Sequence, residues 1–409
     1  MDKKKVGAWA LFDFANSVYP AVIVSVIFQK YYIEGVVGND TGRGDAWWTA
    51  AVSTSALIVA LSAPVLGAVA DRAGARKRFL IGYTAACIAG VLLMTALGPG
   101  AVVAGFAVFV LANVGFEGSL VFYNAYLPDI APVEKQGWVS GLGFGVGYVG
   151  SILGLLVTLG PARAEQFWIV WLMVAGLYVL FALPAFAFLP KDEAGVMSVG
   201  RAAAWGLRSF KALWGEVMKE QELRRFLLAY FLYIDGVLTA IYTATTLASS
   251  TFGYTTDELV YLFIGIQVTA LIGAFVLAKP TDRIGPKKVI TGVLIVWILA
   301  ALSIAFIESK AAFAVVGLVA GFGLGSAQSV SRAFMSSLIP AGKQAEMFGF
   351  YALCGKSSSV VGPLLFGQVV LRSDGNQRLA VMAISVLFVI GLILLQRVND
   401  PKAPRPATA

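Results

Sequence analysis

The sequence predicts an all-α polytopic membrane protein with twelve transmembrane helices in two six-helix pseudo-repeats. Three observations support this fold class: the composition, the length of the apolar runs and a repeated loop. Hydrophobic residues make up 58% of the 409 residues and charged residues 13%, against roughly a quarter charged in a soluble domain. The apolar runs reach about 18 residues or more, the length of a membrane span. They lack the alternation that the strands of a membrane barrel show.

The repeated loop lies between apolar runs in each half of the chain. It reads GAVADRAGARKR from Gly67 to Arg78 and returns as AKPTDRIGPKK from Ala278 to Lys288. At a constant offset of about half the chain, five residues of the first copy match five of the second: Asp71, Arg72, Gly74, Arg76 and Lys77 match Asp282, Arg283, Gly285, Lys287 and Lys288. A loop repeated at this distance indicates two copies of one helical unit in a membrane.

The apolar runs define the order of the elements. With ends fixed to within about four residues, they predict spans at 9–31, 46–70, 79–98, 101–127, 138–160, 167–189, 225–249, 258–279, 288–307, 311–336, 345–371 and 378–396. Three regions follow: a six-helix bundle over 1–190, a cytoplasmic linker over 191–224 and a second six-helix bundle over 225–409. The linker carries apolar residues at helical spacing between basic ones, which predicts an amphipathic helix lying at the membrane surface. A helix that binds a partner protein is the alternative.

Lysine and arginine concentrate in alternate loops, beginning with the amino terminus. The positive-inside rule therefore predicts that both termini are cytoplasmic, in a bacterial plasma (inner) membrane. The first apolar run is interpreted as a retained helix, since it contains Asp13 and Asn16 and has no small-residue cleavage site. The net charge of +8 is assigned to membrane loops, so nucleic-acid binding is not expected.

The residue types present exclude several kinds of chemistry. The chain has no histidine, and its two cysteines, Cys87 and Cys354, lie within apolar runs. No disulfide framework, metal site or cofactor is therefore predicted. No nucleophile and base stand in a pattern typical of an enzyme. Proton transfer near neutral pH would have to be performed by carboxylates in unusual surroundings.

Five ionisable side chains fall inside the predicted spans. They are Asp13, Glu117, Asp235, Arg332 and Lys356. A charge inside a span costs several kcal/mol unless it is paired or hydrated, so each is a functional candidate. We predict that the three acids carry a coupling proton or bind an amine. The predicted substrate-binding residues are the two cations and the polar residues that share faces with the five charges: Arg332, Lys356, Gln328, Asn113, Asn124, Asn16 and Tyr242.

The polar faces lie on the first, fourth, seventh, tenth and eleventh predicted spans. Because the first, fourth, seventh and tenth occupy equivalent places in the two repeats, their polar faces predict a shared wet cavity near the midplane. A zwitterion such as an amino acid would satisfy both signs of charge. We therefore expect a monomeric, proton-coupled secondary transporter of a small polar metabolite, with the bilayer as its other partner. The alternatives are a phosphorylated anionic cargo, a lipid flippase, or charges that only pin helices together.

The repeated loop resembles the signature loop of the major facilitator superfamily, G-x-x-x-D-R-x-G-x-R-R in outline. The second copy departs from it, with Ala278 at the glycine and Pro286 among the bases. Within that superfamily, WALFDFANS, FYNAYLPDIAP, YFLYIDG, SAQSVSRAFMSSLIP and FGFYALCGKSSSVVGP resemble the unknown-major-facilitator family. That family is related to the autophagy-linked effluxers that release amino acids from fungal vacuoles.

The resemblance covers nearly the whole chain and implies the major facilitator fold. It also implies a gating role for Asp71, which would hold the cytoplasmic ends of the second and eleventh spans together in the outward-facing state. The other residues with an implied gating role are Gly67, Arg72, Arg76, Asp282 and Arg283. An acid at this place is physically reasonable, because a negative charge near a helix amino terminus is favoured.

Overall fold

The computed structural model describes residues 1–39, 42–208, 210–357 and 361–400. Within these ranges the regular structure is helical, and the described residues form no β-strand. The all-α prediction is confirmed.

Six long helices make up the first half of the chain: α1 Lys3–Tyr19, α2 Arg43–Ala73, α3 Arg76–Leu93, α4 Val102–Asn124, α5 Gln136–Arg163 and α6 Phe167–Phe188. The first predicted span continues beyond α1 through π-helical turns at Pro20–Val24 and Tyr31–Val37. Ser25 N–H donates to the Pro20 carbonyl at 3.0 Å, five residues back. Proline cannot donate a backbone hydrogen bond, and a wider turn of this kind accommodates the disturbance.

The described residues of the linker are helical over α7 Val199–Arg208 and α8 Phe210–Lys219, and residue 209 lies outside the described part of the chain. The second half consists of α9 Gln221–Phe252, α10 Thr256–Val276, α11 Ala278–Ile284, α12 Pro286–Ser303, α13 Lys310–Leu338, α14 Gln344–Ser357, α15 Val361–Arg372 and α16 Gln377–Gln396.

By length and composition, the described residues contain 11 candidate membrane spans. The predicted span at 345–371 corresponds to α14 and α15, and residues 358–360 within it lie outside the described part of the chain. The count of twelve therefore remains a prediction, while the polytopic helical class is confirmed.

The turn after α2 explains why the repeated loop contains a glycine. Gly74 adopts a left-handed conformation with φ of 57°, which residues with a side chain rarely adopt. The amide of Ala75 donates to the Ala70 carbonyl at 2.9 Å, and this bond closes the end of the helix. The chain reverses there, and α3 begins at Arg76.

An ion pair with a capping box marks the start of α10. Thr255 Oγ1 accepts from the Glu258 amide at 3.3 Å, and Glu258 Oε2 accepts from the Thr255 amide at 2.8 Å. Lys310 Nζ lies 2.7 Å from Glu258 Oε2. The hydrogen bond from Lys310 lowers the pKa of Glu258, so this carboxylate is charged at neutral pH.

Packing divides the chain into two compact units whose bounds cross the sequence halves. The first unit contains residues 1–130, 146–213 and 340–353; the second contains residues 131–145, 214–339 and 354–409. Each unit therefore includes one short segment from the other half of the sequence. In the first unit that segment contains the start of α14, and in the second it contains the start of α5.

Candidate functional site: two helix-capping clasps and the buried charges

The acid of the first repeated loop caps a helix that is remote in sequence. Asp71 lies in the last turn of α2, and its Oδ2 accepts a hydrogen bond from the Glu346 backbone amide at 2.9 Å. Glu346 belongs to the first turn of α14, where amides have no partner within the helix. The Asp71 side chain is only 3% exposed. A buried carboxylate at a helix amino terminus is held both by the hydrogen bond and by the helix dipole.

Charged side chains surround this cap. Arg72 Nη1 lies 2.8 Å from Glu346 Oε2, and Arg76 Nη1 lies 2.7 Å from Asp129 Oδ2. Arg76 Nε is also 3.6 Å from Asp71 Oδ1. The Glu346 side chain is fully buried, so it depends on its cation partner. We call this group, with the glycine that packs against it, the first clasp: Gly67, Asp71, Arg72, Arg76, Asp129 and Glu346.

Close backbone contact accompanies the first clasp. A side chain added at Gly67 would collide with the carbonyl of Ala345, and one added at Gly349 would collide with the carbonyl of Ala63. The two glycines lie on opposite helices, α2 and α14. Small residues at such positions let helices approach until their backbones touch.

The second copy of the loop makes a similar cap in the second unit. Asp282 Oδ1 accepts from the Gly137 amide at 2.8 Å, and Oδ2 accepts from the Trp138 amide at 2.8 Å. Both amides lie in the first turn of α5. Gly141 on the same helix has no room for a side chain against Ala278 and Ala274. We call this group the second clasp: Gly137, Trp138, Gly141, Ala278 and Asp282.

The second clasp explains the departure of its loop from the signature pattern. Where the first loop has Gly67, the second has Ala278, which faces Gly141. The glycine on the opposite helix is kept in both clasps, as Gly349 facing Ala63 in the first and as Gly141 facing Ala274 in the second. The contact between the helices therefore survives the loss of the glycine in the loop.

The repeat extends beyond the acid, with a shift of one residue. Lys77 N–H donates to Asp192 at 2.7 Å, and its Nζ donates to the Leu189 carbonyl at 2.9 Å. In the second half, the corresponding partners belong to Lys287, whose N–H donates to Asp400 at 3.1 Å and whose Nζ donates to the Gln396 carbonyl at 2.7 Å. At the constant offset, the sequence matched Lys77 with Lys288. That match is wrong, because the turn at Gly285, with φ of 93°, starts the next helix one residue earlier.

The arginines that follow the two acids differ. Arg72 is held by Glu346 and has a side chain that is 21% exposed. Arg283, its counterpart, is exposed. The predicted gating residues thus fall into two groups with the same cap and different charged surroundings.

Arg332, predicted to bind substrate, lies against the start of α5. Its Nε donates to Ser140 Oγ at 2.9 Å and its Nη2 donates to the Ser140 carbonyl at 2.8 Å. Its guanidinium lies 4.1 Å from the centre of the Phe144 ring. The side chain is 3% exposed. Arg332 therefore fastens α13 to the same stretch of α5 that Asp282 caps, a contact that the sequence did not predict.

Asp13, the acid of the first predicted span, lies where α1 and α5 pack closely together. Asp13 and Asn16 are each 4% exposed, and Asn16 Nδ2 donates to Asp13 Oδ1 at 3.3 Å. Glycines on α5 allow this approach: Gly147 faces the Asp13 carbonyl, and Gly150 faces Phe14. The structure thus brings together the acid and the amide that the sequence paired.

The polar residues of α4 differ in their burial. Asn113 is buried, and its Nδ2 donates to Ser55 Oγ at 2.8 Å. Glu117, one helical turn further on, is half-buried, as is Asn124 at the end of the helix. Asn113 therefore binds α2 through Ser55, a partner that the sequence did not predict.

The acid of α9 is the most deeply buried of the three. Asp235 has no exposed surface, and its Oδ2 accepts from the Gly362 amide at 2.7 Å. Its Oδ1 accepts from Thr239 Oγ1 at 3.4 Å, one helical turn further along α9. Tyr242, predicted on the same face, is 62% exposed and lies outside this buried group. Asp235 thus joins α9 to α15 through the Gly362 amide.

The two remaining candidates for substrate binding are half-buried. Lys356 lies on α14, and Gln328 lies one turn before Arg332 on α13. The neighbouring Gly355 approaches the Tyr230 hydroxyl of α9. Sequence reasoning missed Glu346, Asp129 and Ser140, because it considered only ionisable residues well inside the spans. All three residues lie next to the end of a predicted span, and this position could have identified them as candidates.

Comparison with known proteins identifies the family. A model of the family described as vacuole effluxer Atg22 like matches residues 44–408. The MFS-type transporter YxiO of Bacillus subtilis (strain 168) is 28% identical over 419 residues, which cover 97% of this chain and 95% of that protein. Autophagy-related protein 22 of Candida glabrata is 24% identical over 312 residues, which cover 66% of this chain and 56% of that protein.

Solved structures support the fold. The human organic anion transporter MFSD10 superposes with a TM-score of 0.78 at 17% identity, over 97% of this chain and 100% of that one. The E. coli fucose:proton symporter FucP gives a TM-score of 0.72 at 15% identity, over 97% and 98%. The predicted major facilitator fold is confirmed, and the relatives are transporters rather than enzymes. The chain therefore belongs to the vacuole effluxer Atg22-like family and is an integral membrane transporter of the major facilitator type.

Proposed function

We propose that this transporter carries a small carboxylate-bearing metabolite, such as an amino acid, by alternating access coupled to protons. The observation that carries the proposal is Asp235. It is a fully buried acid within a span, and the hydrogen bonds given above join it to an amide and a hydroxyl, both neutral. A carboxylate in such surroundings can take up a proton without losing an ion-pair partner.

Lys356 is the proposed partner of the solute carboxylate. Arg332 was the other predicted cation, but in this structure it is engaged with Ser140 and Phe144 on α5. We therefore assign Arg332 to the holding of α5. Glu117 and Asp13 remain proposed coupling acids of the first unit, with Asn16, Asn113, Asn124, Gln328 and Tyr242 as proposed polar contacts of the solute.

The two clasps are the contacts that we propose break and form again during transport. Each joins helices from different halves of the sequence through an acid and backbone amides, contacts that can break and form again without loss of secondary structure. In the proposal, a bound solute reaches one side of the membrane when the clasps are closed and the other side when they open. The repeats at 1–190 and 225–409 would be the moving bodies, with residues 191–224 as the linker between them.

The names of the structural neighbours agree with this proposal. MFSD10 is described as an organic anion transporter and FucP as a fucose:proton symporter, which favours an anionic group on the solute and coupling to protons. The distribution of lysine and arginine favours a bacterial plasma membrane with both termini in the cytoplasm. A monomer is the proposed functional form.

A binding screen on purified protein tests the solute class. The twenty common amino acids and a set of sugar phosphates are added separately, and the thermal unfolding midpoint is recorded for native protein, Lys356→Ala and Arg283→Ala. We expect an amino acid to raise the midpoint of native protein and of Arg283→Ala, whose replaced cation is exposed, but not that of Lys356→Ala. Stabilisation by sugar phosphates alone would favour the phosphorylated-anion alternative. Equal stabilisation of Lys356→Ala would contradict the assignment of Lys356.

A further inference from the structure

The linker helix α7 reaches the first clasp through one aromatic side chain. The Trp205 ring lies beneath the Arg72 guanidinium, whose central carbon is 3.7 Å from the ring centre. The same guanidinium pairs with the buried Glu346 carboxylate at 2.8 Å. Trp205 therefore contacts the arginine that pairs with the Glu346 carboxylate at the start of α14. No sequence motif includes Trp205.

We propose that Trp205 is a positioning residue of the first clasp: it holds the Arg72 guanidinium in the orientation that pairs with Glu346. The linker then contributes to the stability of that clasp as well as joining the two halves of the chain. An arginine side chain has many rotamers, and one that must serve a buried carboxylate has to be held in a single orientation. A planar aromatic face holds a guanidinium by stacking and by cation–π attraction. Trp205 provides that face, and Glu346 fixes the other end of the contact.

The helix that carries Trp205 is packed tightly against α2. Ala202 of α7 is fully buried in a cluster with Val69, Ala73 and Ala75. Gly206 lies so close to α2 that an added side chain would meet Val65 at 3.0 Å. The ring of Trp205 is thus carried by a helix whose position on α2 is set by packing.

A second attachment lies just before α7. Asp192 accepts from the amides of Lys77 at 2.7 Å and Arg78 at 3.2 Å, which caps α3. Gly195 has no room for a side chain against the backbone of Ala73. Residues 192–206 therefore follow the repeated loop along its length, and a displacement of the linker would move Trp205 away from Arg72.

The second clasp differs in this respect. Its arginine, Arg283, is exposed, and Asp282 forms its cap with two backbone amides. Control by the linker would therefore act on one clasp of the two. The inference rests on the proposed function in one respect, namely that opening of the first clasp belongs to the transport cycle.

A cysteine reporter tests the role of Trp205 without any solute. Met347 lies in the same turn of α14 as Glu346 and is fully buried, so Met347→Cys in a Cys87→Ala, Cys354→Ala background reacts with N-ethylmaleimide only when the clasp opens. Loss of one cation–π contact corresponds to about a three- to tenfold faster reaction. We expect that increase in Trp205→Leu, which keeps apolar packing, and the parent rate in Trp205→Phe, which keeps an aromatic face.

A double-mutant comparison separates positioning from general stability. Arg72→Gln should raise the labelling rate more than Trp205→Leu does, because it also removes the ion pair with Glu346. Adding Trp205→Leu to Arg72→Gln should raise the rate no further, because the contact between the two side chains is already lost. An unchanged rate in Trp205→Leu, or effects that multiply in the double variant, would overturn the proposal. Should Trp205→Leu not fold, Trp205→Ala and Trp205→Phe are compared in its place, and equal rates in these two would overturn it. Because no solute is present, a failed amino-acid screen would contradict the proposed cargo and leave this result standing.

Discussion

The two clasps use the same acid for the same purpose and surround it differently. In the first, Asp71 accepts one amide and stands among Arg72, Arg76 and a buried glutamate. In the second, Asp282 accepts two amides, and the adjacent arginine is exposed. The cap on a helix amino terminus is therefore the element common to both repeats. In the first clasp, ion pairs of Arg72 and Arg76 accompany that cap.

This difference separates two sources of stability. A side-chain cap is worth about 0.5 to 2 kcal/mol, and it depends little on salt when both partners are buried. Ion pairs that are partly exposed weaken as salt rises. The stability of the first clasp should therefore depend on the charges of its side chains and on ionic strength. The stability of the second clasp should depend on how many hydrogen-bond acceptors residue 282 provides.

The largest effect is expected where backbones touch. Gly67→Val would place a side chain against the Ala345 carbonyl, and Gly141→Val would do the same against α10 and α11. Overpacking costs about 1 to 3 kcal/mol, so each should slow transport by about tenfold or more and increase labelling of a cysteine beneath its own clasp. Gly82→Val is the matched control, because nothing lies within 4 Å of an added side chain. Normal transport by Gly67→Val would show that the close contact is unnecessary.

The next effect distinguishes the two acids. Asparagine retains one acceptor oxygen. One carboxylate oxygen of Asp71 accepts from the Glu346 amide, whereas both oxygens of Asp282 accept from amides. Asp282→Asn should therefore increase labelling of Val139→Cys, a buried position on α5, by about thirtyfold, since an unmade buried bond costs about 2 kcal/mol. Asp71→Asn, which loses charge only, should increase labelling of Met347→Cys by about three- to tenfold and impair transport. The reverse order would contradict the distinction.

Ionic strength gives a smaller contrast. Between about 0.1 M and 1 M salt the screening length falls from about 10 Å to 3 Å. We expect labelling of Met347→Cys at the first clasp to rise about two- to threefold over this range, and labelling of Val139→Cys at the second clasp to stay constant. Parallel responses would show that the charged network adds nothing particular to the first clasp.

The smallest effect is expected at the exposed arginine. Arg283→Gln should leave labelling of Val139→Cys and the unfolding midpoint unchanged, because surface charges away from special features contribute little. Its counterpart Arg72→Gln should raise labelling of Met347→Cys. A response at Arg283 equal to that at Arg72 would remove the difference between the two repeats.

Much of this arrangement could be predicted from the sequence, for identifiable reasons. Long apolar runs and the repeated loop predict the helical class, because a span must be apolar and continuous. The role of the loop acid followed from a resemblance, and the contact of Asp71 with α14 has the geometry that the resemblance implies. The pairing of Asp13 with Asn16 followed from helical spacing.

Other contacts depend on information that the local sequence does not hold. Arg332 was predicted to bind substrate because it is a charge in a span, and no spacing rule could identify its contact with a serine on another helix. The register of the second loop shifts at Gly285 because of a backbone turn that a constant offset ignores. No role was assigned to Trp205 from the sequence. Only the packing of α7 on α2 brings its ring to Arg72.

Solute accumulation in liposomes tests the central claim most directly. Purified protein is reconstituted, a pH gradient is imposed, and uptake of radiolabelled amino acids is measured for native protein, Asp235→Asn and Arg283→Gln. We predict that native protein and Arg283→Gln accumulate at least one amino acid above its external concentration. Asp235→Asn should exchange the same solute across the membrane and not accumulate it. Failure of native protein to accumulate any of the twenty common amino acids, or accumulation by Asp235→Asn equal to that of native protein, would contradict a proton-coupled carrier of this kind.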